Sequence, residues 1–125
     1  MGNSELITEE RILNAAYHVF LSRGFHGTTL QQIANEANVN KSAIHYYFRS
    51  KERLYIRIVK RVMDTILDEN NLENKNSMDN TKWFLLIELH NNTTLFKIAL
   101  KELFLHEWEK ELTKIENWLE LTVGK

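Results

Sequence analysis

The chain has no cysteine, no proline and only four glycines in 125 residues. Without cysteine there is no disulfide, no thiol nucleophile and no thiolate metal ligand. Without proline, and with so little glycine, few sharp turns are enforced, which favours an all-helical chain. No uninterrupted apolar stretch approaches the ~18 residues of a membrane span. The first residues also lack the basic segment and apolar run of a secretory leader. A cytoplasmic protein with no membrane partner is therefore expected, and the N-x-T triplets at Asn91 and Asn92 are chance matches.

Catalytic groupings are scarce as well. His18, His26, His45, His90 and His106 are scattered, and His106-Glu107 is not followed by the second histidine of a zinc-protease helix. Glu102 and His106 lie one helical turn apart, which reads as a surface pair. No glycine-rich phosphate loop and no Ser-His-Asp grouping stands out. The chain is not expected to be an enzyme, and no cofactor or metal is expected.

What is present is an ordinary globular balance, 43% apolar and 26% charged. That is enough for one domain, or a small module and part of a second. The net charge of -1 hides an asymmetry. Residues 1–63 hold nine Lys/Arg against five acids, whereas 64–125 hold seven against twelve. Seven of the basic residues fall within 41–61, where Glu52 is the single acid. A basic half joined to an acidic half suggests that only the first faces a polyanion.

Periodicity predicts a first helix from about Glu9 to Arg23. Thr8 would cap it, Ile12, Leu13, Ala15, Ala16, Val19 and Phe20 would be buried, and Gly24 would take the left-handed stop. A second, short helix starts at Thr28 or Thr29, since Gln31 and Gln32 complete a capping box in either register. Its apolar stripe is Leu30, Ile33, Ala34 and Ala37. Asn38 then turns the chain, Val39 plugs the gap, and Asn40 caps a third helix over Lys41–Phe48. Ser50 caps a fourth, running to about Asp68, with Leu54, Ile58, Val62 and Ile66 on one ladder and Tyr55, Val59, Met63 and Leu67 on the next. Residues 70–80 are polar and read as a loop. Beyond it, Thr81 to His90 is predicted helical. So is Thr93 to about Leu121, broken once between His106 and Thr113, with Phe96, Leu100, Leu103, Trp108, Leu112, Ile115 and Leu119 on a broad apolar face.

Leu30 to Phe48 is the informative stretch. Two short helices meeting at a steep angle need a small residue at their closest approach, here Ala34. Asn38, four residues on, is the best non-glycine choice for a left-handed turn. Val39 and Ile44 fill the wedge, and together these residues specify a helix-turn-helix. The run Ile12-Leu13-Asn14-Ala15-Ala16, Phe20, Gly24-Phe25, Thr28-Thr29, Ile33-Ala34, Ala37-Asn38-Val39, Tyr46-Tyr47-Phe48 and Lys51 with Leu54 resembles the TetR family of bacterial regulators. Asn38 stands where that family usually has glycine, and His45 where tyrosine is common.

The resemblance implies a sequence-specific transcriptional regulator, a repressor on a double-stranded, palindromic DNA operator. The third helix would enter the major groove, with Lys41, Ser42, Ala43, His45 and Tyr46 at the bases. Tyr47, Lys51 and Thr28 or Thr29 would hold phosphates. It also implies a longer helical C-terminal domain that binds a small effector and dimerises. On that reading 1–50 is the DNA-binding domain, 51–70 a connecting helix and 71–80 a linker. Residues 81–125 are a short or truncated dimerisation and regulatory region, with the effector unknown. The large side chains Trp83, Phe84, Phe96, Phe104, Trp108 and Trp118 suggest a homodimer joined after Asn80. A helical adaptor that does not bind DNA specifically is the rival reading, and it leaves the 41–61 basic cluster unexplained.

Overall fold

A computed structural model describes residues 2–67, 80–91 and 93–123, and the ordered elements among them are all helices. They are α1 (Gly2–Arg23), α2 (Leu30–Ala37), α3 (Lys41–Phe48), α4 (Lys51–Leu67), α5 (Asn80–Asn91), α6 (Thr93–Phe104) and α7 (Trp108–Val123), with a single 3-10 turn over Leu105–Glu107 between the last two. The chain forms two compact units, Met1–Ile58 and Val59–Lys125. The expected linker, apart from Asn80, lies outside the described residues, as do the side chains of Ile66, Leu67, Trp83, Trp118 and Leu119.

In the first unit α1 packs on α2 and α2 on α3. The apolar stripe predicted for the first helix, Ile12, Leu13, Ala15, Ala16, Val19 and Phe20, is buried throughout. Ile33, Ala34 and Ala37 of α2, Ile44 and Phe48 of α3, and Leu54, Tyr55 and Ile58 of α4 are buried too. Aromatic rings join the elements. Phe20 meets Tyr55 edge-on at 5.7 Å and stacks on Phe25 at 6.0 Å, while Phe25 meets Tyr55 edge-on at 5.3 Å.

α1 begins at Gly2, seven residues before its predicted start, so Thr8 lies inside the helix and not at its N-cap position. No breaker stands in Asn3 to Thr8, and a helix nucleated by the buried stripe propagates at little cost. The added turns carry Leu6 and Ile7 exposed. Gly24 takes the left-handed stop at φ 73°.

The turn between α2 and α3 has the predicted form. Asn38 sits at φ 57°, ψ 49°. Its N–H donates to Asn35 O at 3.2 Å and that of Val39 to Ala34 O at 3.0 Å. This paired arrangement satisfies two carbonyls at the end of α2. Because a β-branched side chain clashes in that conformation, Asn38→Val should lower the melting temperature clearly, while Asn38→Gly should leave it equal or slightly higher. Equal melting temperatures for the two variants would remove this account of the turn.

In the second unit α5 packs on α6 and α6 on α7. Phe84, Leu85, Phe96, Ala99, Leu100 and Ile115 are buried. The broad face expected from Phe96 to Leu119 is therefore divided. Phe96, Leu100 and Ile115 are covered within the chain, and Leu103, Trp108 and Leu112 are half-buried. Ile98 and Leu105 are the exposed large apolar side chains among the described residues of this unit. The helical run breaks at Leu105, one residue before the predicted interval, with φ at 49°.

Candidate nucleic-acid interface

α3 has eight residues, and the helical repeat sorts them into two faces. Ile44 and Phe48 point into the core, Ala43 and Tyr47 lie half-buried at the margins, and Lys41, Ser42, His45 and Tyr46 form one exposed face. Tyr46 is 70% exposed, a large fraction for an aromatic ring on a short, well-anchored helix. The Tyr47 ring packs edge-on against it at 5.0 Å. Each residue predicted to face bases is thus on the outward surface of α3 or at its margin. Asn40 occupies the N-cap position with extended backbone, but its side chain makes no capping hydrogen bond.

The two threonines before α2 are separated by burial. Thr29 is the cap: its Oγ1 accepts from Gln32 N at 3.1 Å, and its N–H donates to Gln32 Oε1 at 2.8 Å. Thr28 is 1% exposed, and its hydroxyl donates to Gly24 O at 2.6 Å. Of the pair, only Thr29 offers a side chain to a phosphate at this helix end.

Lys51 has a structural role that the sequence did not reveal. Its ammonium donates to Phe25 O at 2.9 Å and Thr28 O at 3.0 Å, and it sits 4.2 Å from the Phe25 ring centroid. An ammonium has three N–H donors. One remains for an outside acceptor, next to the start of α2.

Three arginines also act in ways sequence reasoning missed. Arg11 donates from α1 to Ala37 O at 2.7 Å and Asn38 O at 3.2 Å, clamping the end of α2 and its turn. Arg57 pairs with Glu9 at 3.1 Å and lies 5.4 Å from the Phe48 ring, tying the end of α3 to α1. Arg49 follows α3 at φ 76°, ψ −49°, and is exposed. The basic cluster was visible in composition, but its division into clamps and exposed cations was not. Gly27 carries a steric role that no sequence period shows: a Cβ there would run into the backbone oxygen of Arg23.

Among the described residues no group of three or more His, Cys, Asp or Glu could hold a metal ion, and no helix is long and apolar enough to cross a membrane. The first unit contains a helix-turn-helix whose second helix, α3, presents a polar and aromatic face. Residues 12–58 match the family described as bacterial regulatory proteins, tetR family. Over 56 residues the chain is 48% identical to the HTH-type transcriptional regulator RutR of Escherichia coli, covering 45% of this chain and 26% of that protein. It is 42% identical over 55 residues to the HTH-type transcriptional repressor NicS of Pseudomonas putida, 44% of this chain and 26% of NicS. It is 36% identical over 56 residues to the biofilm operon icaADBC HTH-type negative transcriptional regulator IcaR of Staphylococcus aureus, 45% of this chain and 30% of IcaR. The matched segments thus span between a quarter and a third of these relatives. A crystal structure of an HlyIIR mutant protein shares the fold, with a TM-score of 0.59 at 21% identity over 95% of this chain and 88% of that one.

Proposed function

We propose that the chain is a sequence-specific DNA-binding transcriptional regulator, a cytoplasmic repressor that binds a palindromic operator as a homodimer. The observation that carries this reading is the exposed face of α3, where Lys41, Ser42, His45 and Tyr46 stand together over the buried anchors Ile44 and Phe48. α3 enters the major groove, with Ala43 offering a methyl surface at its margin. Thr29, Tyr47 and the remaining N–H of Lys51 hold phosphates, and exposed Arg49 adds a further cation. The names of NicS and IcaR, a repressor and a negative regulator, support repression over activation.

A two-fold protein places its recognition helices ~34–36 Å apart, or a multiple of that, to meet successive major grooves. Pairing falls after Asn80, where Ile98 and Leu105 are exposed apolar side chains. Residues 1–50 serve as the reading domain, 51–70 as the connecting helix, 71–80 as the linker and 81–125 as the pairing and regulatory region, which takes a small-molecule effector.

Binding selection from random duplexes, followed by titration at several salt concentrations, tests the reading. Lys41→Ala should weaken the selected operator by ~1–3 kcal/mol while changing random-duplex binding far less. Lys51→Ala should weaken all sequences alike, and it should also lower the melting temperature by roughly 5–10 °C because two backbone carbonyls lose their donor. If no duplex is bound even at low salt, the helical adaptor takes the place of the regulator.

A further inference from the structure

We propose that His45 is a specificity-determining residue that accepts a hydrogen bond from the exocyclic amine of adenine or cytosine through Nε2. The inference rests on the operator-reading function above and assigns a chemistry to one residue of that surface. His45 and Arg49 are joined twice. The Arg49 N–H donates to the His45 backbone oxygen at 3.1 Å, and His45 Nδ1 lies 3.3 Å from the Arg49 backbone oxygen. A carbonyl oxygen carries no proton, so the second contact is a hydrogen bond only if Nδ1 is the donor. A neutral imidazole has one N–H, and Nε2 is then a bare acceptor.

The backbone at Arg49 supports this contact. Its φ of 76° and ψ of −49°, with Ser50 N–H donating to Phe48 O at 2.9 Å, make a tight three-residue turn. That turn is rare for a residue with a side chain. It leaves the Arg49 carbonyl within reach of the His45 ring, which remains exposed on the same face of α3 as Lys41, Ser42 and Tyr46.

An acceptor in the major groove discriminates in one direction. Adenine presents N6–H and cytosine N4–H, whereas guanine O6 and thymine O4 would set lone pair against lone pair. A phosphate also has no proton to give, so His45 in this form is a base reader rather than a backbone contact. Lys41, a pure donor, asks the opposite question of its own base.

Two measurements on the full chain at about pH 8, above the range where histidine ordinarily takes up a proton, test the proposal. Long-range nitrogen–proton NMR of the free protein should show His45 with its proton on Nδ1, and a proton on Nε2 would overturn the inference. Selection from random duplexes should show one position per half-site where adenine or cytosine is favoured about fivefold or more over guanine or thymine on the same strand. His45→Ala should erase that preference and leave the other positions intact, and His45→Lys should turn it toward guanine. A consensus in which no position responds to His45 would overturn this inference alone. Failure to enrich any consensus would overturn the regulator reading and this inference with it.

Discussion

Truncating Phe20 to alanine should destabilise the first unit by about 3–5 kcal/mol. The ring is wholly buried, stacks on Phe25 at 6.0 Å and meets Tyr55 edge-on at 5.7 Å. Its removal therefore opens a cavity where α1, the turn after it and α4 meet. Small domains are stable by only ~5–15 kcal/mol, so a loss of this size consumes much of the margin. Urea denaturation followed by circular dichroism reads it as a fall in the midpoint. Tyr46→Ala is the matched control, since that ring is 70% exposed. It should leave the midpoint almost unchanged while weakening DNA binding. If both variants lose the same stability, the division of aromatic residues into anchors and readers is wrong.

Raising the salt from about 50 to 200 mM should weaken DNA binding by roughly 150-fold if two reading domains bind together. Each reading domain brings Arg49 and Lys51 to phosphates while Lys41 reads a base, so four cations displace counterions from a dimer's site. The expected slope of log K against log salt is then about −3.6. One reading domain alone gives a slope nearer about −2 and a loss of only ~12-fold over the same range. The remaining basic residues add less than their number suggests. Arg57 is paired with Glu9 at 3.1 Å and Lys60 with Asp64 at 2.9 Å. Titration by fluorescence anisotropy gives the slope, and light scattering gives the mass of the free protein. A slope of about −2 with a mass near one 14.9 kDa chain would remove the homodimer.

The sequence by itself determined the elements that depend on neighbours three and four residues apart. The buried stripes of α1, α2 and α4, the limits of α3 and the left-handed turn at Asn38 all follow from side-chain period, caps and the steric tolerance of asparagine. The exposed face of α3 follows from the same repeat, because fixing Ile44 and Phe48 inward leaves Lys41, Ser42, His45 and Tyr46 outward. Where two local solutions were equivalent, tertiary packing chose between them. Thr28 and Thr29 each had a glutamine at the capping distance. Only Thr28 lies where its hydroxyl can reach Gly24 O beneath the helix, which leaves Thr29 as the cap.

The tertiary structure alone decided the long-range polar contacts. Lys51 meets carbonyls 26 and 23 positions away, and Arg11 meets carbonyls 26 and 27 positions away. Which backbone oxygens a helix end leaves open to a distant cation depends on how helices cross, and no sequence period encodes that. The positive φ at Arg49 and Leu105 belongs to the same class. Neither residue favours that conformation, so the packing of the adjoining helices imposes it; side-chain period places a break near each but does not encode the positive φ.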